Sequence, residues 1–208
     1  GDTPNALTTR AELAAALMKF DGGQLLPPGT LSEYSVMDLR CAPSGLALAE
    51  DGSLLVTDTY SKRIWQVKSR SAEVYAGGET AEGLYGQSVG GYRDAGLTDS
   101  WFGEPWAIAP FLDGWAVTDA SNHVVRLIQN GRVRTLNGAS TEGLETAKNG
   151  VIFHHPTGLA ADDQGNLYVS DTFSGAVRRV TPQGSVTTVA AGLTEPMGLC
   201  WSAGALYI

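Results

Sequence analysis

Pro43-Ser-Gly-Leu-Ala-Leu-Ala-Glu-Asp-Gly-Ser-Leu-Leu-Val-Thr-Asp58 decides how this chain is read, because it returns. Its second copy is Pro105-Trp-Ala-Ile-Ala-Pro-Phe-Leu-Asp-Gly-Trp-Ala-Val-Thr-Asp119, and its third is Pro156-Thr-Gly-Leu-Ala-Ala-Asp-Asp-Gln-Gly-Asn-Leu-Tyr-Val-Ser-Asp171. A fourth begins at Pro196-Met-Gly-Leu-Cys-Trp-Ser-Ala-Gly-Ala-Leu-Tyr-Ile208. Proline and aspartate bracket an almost gapless unit in each complete copy, the signature of a repeat architecture.

Each copy reads as two short apolar runs joined at an Asp-Gly, Gly-Trp or Gly-Asn step, which is hairpin chemistry. The second runs are Leu54 to Asp58, Trp115 to Asp119 and Leu167 to Asp171. Third runs follow at Arg63 to Lys68, Val124 to Ile128 and Ala176 to Val180, and fourth runs at Ala72 to Ala76, Arg132 to Leu136 and Ser185 to Ala190. Four antiparallel strands per unit, repeating about every 40 residues at the tightest spacing, predict the blades of a β-propeller. The larger spacings fall between the fourth strand of one blade and the first of the next. Phe102 and Phe153 precede the second and third prolines and are expected as buried rings ahead of the innermost strands.

These residues resemble the NHL repeat family of β-propellers. The likeness lies in the Phe-x-x-Pro-x-Gly start, the Val-Ser/Thr-Asp end of the second strand, the Arg63-Ile64 third strand and the loop Gly-x-x-Asp94-Ala-Gly. It runs from Ala42 to Ile208, roughly four fifths of the chain, with Trp106-Ala107 departing from the x-Gly of the other copies. The resemblance implies an all-β, NHL-type propeller, with about three and a half blades present here of a ring expected to be six-bladed. Blade starts fall near residues 43, 105, 156 and 196, the last blade being incomplete. The expected division is residues 1–33 as helix and linker and residues 34–208 as blades. An arc with open strand edges invites pairing with a second copy, so a homodimer is expected as one outcome.

The composition agrees with short buried strands between many turns. Of 208 residues, 43% are hydrophobic and 17% charged, and 26 are glycine. The 14 Lys and Arg against 22 Asp and Glu give a net charge of -8, opposite to what a nucleic-acid or anionic-lipid surface needs. No apolar run reaches the length of a membrane span. Gly1 stands where Met would begin a new chain, so a processed or cut N-terminus is expected. Cys41 and Cys200 form no CxxC motif, and whether they pair is left open.

Thr8 to Phe20 carries a capping-box spacing at Thr9 and Glu12, with Leu13, Leu17 and Phe20 on one face, and predicts a helix packing on the propeller. Its Thr-Arg-Ala-Glu string is similar to the tail of a surface-layer homology motif, which keeps a cell-surface reading open. Gln24 to Ser32, with Pro27-Pro28-Gly29, reads as a linker, and Tyr34 to Cys41 as a strand able to complete the unfinished blade.

Asp58, Asp119 and Asp171 recur in every blade, which points to Asx-turn acceptors rather than a catalytic acid. His154 and His155 are adjacent, so in extended backbone they face opposite ways, and no third His or Cys lies at ligand spacing. His123 reads as a solvated turn residue. No P-loop and no nucleophile elbow occurs. Catalytic residues, metal ligands and cofactors are therefore all expected to be none. The candidates for binding are Tyr85, Tyr92, Arg93 and Trp101 in the long loop 77–101, and His154 and His155 at the end of the loop 138–155. The expected function is a non-enzymatic binding or scaffold module for a protein, peptide or glycan, in a secreted or cell-surface bacterial setting. The alternative is a metal-dependent propeller hydrolase or lyase, like the lactonases and amidating lyases, with further ligands beyond Ile208.

Overall fold

The computed structural model describes residues 20–21, 24–25, 42–68, 71–84, 88–138 and 152–208. The expected helix lies outside these residues except for its last member, Phe20, which is not helical. Strand β1 (Phe20–Asp21) pairs antiparallel with β2 (Gln24–Leu25), so the arm read as a linker begins in a short paired strand. The strand expected from Tyr34 to Cys41, the candidate Tyr85 and residues 139–151 of the second long loop also fall outside the description, as does Cys41. Cys200 is exposed.

Three antiparallel sheets follow the repeat. The first blade is β3 (Pro43–Leu48), β4 (Leu54–Asp58), β5 (Arg63–Lys68) and β6 (Ser71–Ala76), hydrogen-bonded in chain order. A two-residue strand, β7 (Ala95–Gly96), precedes the second blade, made of β8 (Pro105–Phe111), β9 (Gly114–Asp119), β10 (Val124–Gln129) and β11 (Arg132–Gly138). β7 pairs with β11 as a fifth, outermost strand. The third blade is β12 (Pro156–Ala161), β13 (Leu167–Asp171), β14 (Ala176–Val180) and β15 (Val186–Ala191), and β16 (Cys200–Ser202) with β17 (Ala205–Tyr207) opens a fourth.

Strand alternation builds the core between blades rather than within them. In β9, Ala116 joins a cluster with Phe153, Leu159, Leu167 and Val169 of the third blade, while its neighbour Val117 joins Leu55, Ile64 and Ala76 of the first. Successive side chains point to opposite faces of a sheet, so one strand feeds two cores. Phe102 and Phe153 are buried, one in each core.

Small and hydroxylated residues let the innermost strands touch. A Cβ on Gly45 would stand 2.5 Å from the Trp106 carbonyl oxygen, and one on Gly158 would stand 1.8 Å from that of Met197. Thr57 Oγ1 donates to the Trp106 carbonyl at 2.7 Å, and Thr118 Oγ1 to that of Thr157 at 2.9 Å. The Val-Thr-Asp motif thus supplies an inter-blade hydrogen bond one residue before its aspartate.

Candidate functional site

Pro43, Pro105 and Pro156 pair with Asp58, Asp119 and Asp171, so the start of each first strand and the end of each second strand lie at one end of the blades. Every candidate residue that the structure describes gathers at this end.

The repeated aspartates are buried and fully engaged. Asp58 Oδ1 accepts from the amides of Ala42 and Tyr60, each at 2.9 Å, and its Oδ2 accepts from Ser61 Oγ at 2.6 Å. Only here does the expected Asx-turn form in full. Asp119 Oδ1 instead accepts from the amides of Gly103 and Glu104, and Asp171 Oδ1 from that of His154. Their second oxygens take an arginine of the third strand, Arg126 at 3.1 Å and Arg178 at 3.0 Å. Burial pushes the Asp119 carboxyl up, while Arg126, Asn122 and the two amides pull against it. An amide ahead of the proline is served in all three blades; the departure from an Asx-turn goes with the third-strand arginine, which takes the carboxylate oxygen that Ser61 holds in the first blade.

Arg126 organises the long loop. Its guanidinium is fully buried between the rings of Tyr92 and Phe102, at 4.9 and 5.1 Å from their centroids. It donates to Asp94 Oδ1 at 2.6 Å and to the carbonyls of Arg93 and Trp101 at 2.9 and 3.0 Å. Asp94 also accepts from the Thr135 amide, and the Tyr92 hydroxyl hydrogen-bonds Thr135 Oγ1. Tyr92 and Asp94 are thereby committed to holding the loop. What the clasp displays is the pair Arg93 and Trp101, the guanidinium 5.4 Å from the indole centroid with Trp101 37% exposed.

A second display lies at the third blade. His155 stacks on Phe173 with centroids 4.5 Å apart and an interplanar angle of 17°, and Trp106 stands edge-on to it at 6.4 Å. Phe173 is 64% exposed. His155 Nε2 stands 3.5 Å from Glu104 Oε2, and Lys62 Nζ is 3.9 Å from the other oxygen of the same carboxylate. His154 is exposed, its ring centroid 6.4 Å from that of His123.

His123 corrects the sequence reading of a solvated turn residue. It is half-buried, and its Nδ1 accepts the His155 amide at 3.0 Å. The chain's three histidines therefore meet, because blade stacking closes a separation of about thirty residues that local spacing does not reveal. Among the described residues, no group of three or more His, Cys, Asp or Glu side chains is arranged to hold a metal ion. Phe173, Trp106, Glu104 and Arg126 were not singled out by sequence. The signal for Arg126 was present: Trp65, Arg126 and Arg178 each follow a repeated aspartate by seven residues.

Four-stranded antiparallel blades packed through alternating faces define a β-propeller-type protein, and known proteins agree. The sequence model of the NHL repeat matches residues 41–67. The chain carries an NHL repeat in a propeller-type fold. No curated protein matches it by sequence. Among solved structures, it is similar to a nidogen/laminin complex, at 19% identity and TM-score 0.54, covering 78% of this chain and 54% of that one. It is also similar to a catalytically inactive virginiamycin B lyase from Staphylococcus aureus with quinupristin, at 15% identity and TM-score 0.50, covering 82% and 64%. A third likeness is to an auxiliary nutrient binding protein from Bacteroides thetaiotaomicron, at 13% identity and TM-score 0.50, covering 76% and 42%. The chain spans less than two thirds of the length of each.

Proposed function

We propose that this chain is a non-enzymatic binding module that uses the shared end of its blades to hold a protein or peptide ligand. The observation that carries the reading is a division of labour at that end. The three aspartates that recur by repeat are buried and spent on backbone amides and on Ser61, Arg126 or Arg178, so they offer no free acid to a substrate. The groups left in solvent are an indole under a guanidinium and a phenyl ring on an imidazole, the flat amphipathic surfaces enriched at protein contacts. Loops pinned to a rigid scaffold are where such contacts usually reside. The likeness to the nidogen/laminin complex supports the reading through fold alone, and a glycan remains the other ligand chemistry that these rings suit.

Peptide and glycan arrays probed with the purified chain test this directly. A bound class that is lost with both Trp101→Ala and Phe173→Ala, while both variants keep the parent's unfolding temperature, is the expected result. Binding that both variants retain, or metal-dependent turnover of a lactone or ester by the parent, overturns the proposal.

A further inference from the structure

The repeat provides an internal control for one hydrogen bond. In the second blade, the two amides ahead of Pro105, those of Gly103 and Glu104, both donate to the blade's own Asp119 Oδ1, at 2.9 and 2.8 Å. In the third blade, the His154 amide donates to Asp171 Oδ1 in the same way, but the next amide, that of His155, crosses the seam to His123 Nδ1 in the preceding blade. An imidazole nitrogen thus fills the place of a carboxylate. A carboxyl group keeps acceptor capacity in either protonation state, whereas an imidazole nitrogen stops accepting once it is protonated.

We propose that the hydrogen bond from the His155 amide to His123 Nδ1 is a proton-sensitive latch between the second and third blades, closed while the His123 ring is neutral and released when it takes up a proton. With Nδ1 accepting, the neutral ring carries its proton on Nε2. A second proton has only Nδ1 to occupy, which sets donor against donor at the seam.

The backbone makes release consequential. His155 has a φ of 56°, a left-handed conformation that is costly for a residue with a Cβ and has to be held by its surroundings. The hydrogen bond that its amide donates to His123 is one restraint, and its stack on Phe173 and contact with Glu104 are others. Losing the first loosens the aromatic display built on the second.

The neighbouring charges come from five segments. His154 and His155 approach from the segment before β12, Asp171 from the end of β13 with Arg178 of β14 upon it, Glu104 from the segment before β8, and Lys62 from the turn between β4 and β5. Burial holds the His123 imidazole below its ordinary value, the nearby His154 and His155 add to this, and Asp171 opposes them. A base whose folded value is depressed binds fewer protons in the folded state. Its contribution to stability is therefore complete above the unfolded value near 6.5 and is lost as pH falls through the folded value. Neutral pH closes the latch and acid opens it, whatever ligand the face holds.

Amide hydrogen exchange resolved by NMR reads this at His155 itself. Between about pH 7.5 and about pH 5, across the histidine range, protection corrected for intrinsic exchange should fall roughly five- to tenfold, the equivalent of one net hydrogen bond. His123→Asn keeps an acceptor near Nδ1 and suits the left-handed φ of 59° at that position, but it does not titrate. It should preserve protection at both ends of the range. His154→Gln, which removes a neighbouring imidazole but not the bond, should leave the pH response in place. Protection in the parent that is flat across the range, or a response that survives His123→Asn, overturns the proposal.

Discussion

Arg126 is where a single side chain carries the most structure. A fully buried guanidinium is costly to desolvate, and here the cost is offset by two carboxylates, two backbone carbonyls and two flanking rings. Arg126→Met leaves Asp119 buried without its cation and strips one donor each from the carbonyls of Arg93 and Trp101, which keep only their mutual backbone pairing. We expect it to lower unfolding stability by about 3–5 kcal/mol, read from urea denaturation midpoints. Arg126→Lys should not restore the parent value, since an ammonium lacks the planar fork that reaches both carboxylates. A loss below about 1 kcal/mol, the scale of an exposed ion pair, would show that the clasp does not hold the loop. Three of the residues that the sequence offered for binding divide at this scale: Tyr92 packs on Arg126, whereas Arg93 and Trp101 are carried outward by it. The sequence could not separate them, because all three are polar or aromatic residues in one glycine-rich loop.

Between elements, the seams rest on close approach. Gly45 and Gly158 occupy the second position after proline in their blades, where a side chain would meet the carbonyl of the next blade, and Ala107 holds that position in the second. Gly158→Ala should therefore cost roughly 1–3 kcal/mol, an overpacking penalty, while Ala107→Gly should be far milder because it restores the residue found in the other copies. Differential scanning calorimetry of the two variants checks the contrast, and equal effects would contradict it. Element positions were the most legible feature of this sequence. The third strands start at Arg63, Val124 and Ala176 and the second strands end at Asp58, Asp119 and Asp171 as read, and the other ends of the second to fourth strands agree to within two residues. Turn glycines and the Pro-to-Asp bracket are local signals, and strand ends are set locally. β7 was not legible, since a two-residue strand has no period, and it forms because Asp94 and the backbone around it are drawn to Arg126 and Thr135.

At the scale of the whole molecule, the blades differ in how well they are covered. The innermost strand of the third blade is buried along almost its full length, whereas β3 of the first is half-buried to exposed except at Ala47, and both strands of the β16–β17 hairpin are largely exposed. Tyr207 and Ile208 are among the exposed large apolar side chains. Open strand faces favour association, so we expect light scattering of this chain to show a mass that rises with concentration, and Tyr207→Glu to suppress that rise. A mass equal to one chain at every concentration would remove self-pairing from consideration. The sequence by itself determined the repeat, the strands and the turns, because hydrophobic alternation, hairpin residues and the Pro-to-Asp spacing act over a few neighbouring residues. Only the tertiary structure decided which groups are spent and which are displayed. Stacking one blade on the next brings His123 to His155, Arg126 to Asp94 and Glu104 between Lys62 and His155, and no local pattern encodes which side chains face each other across a seam.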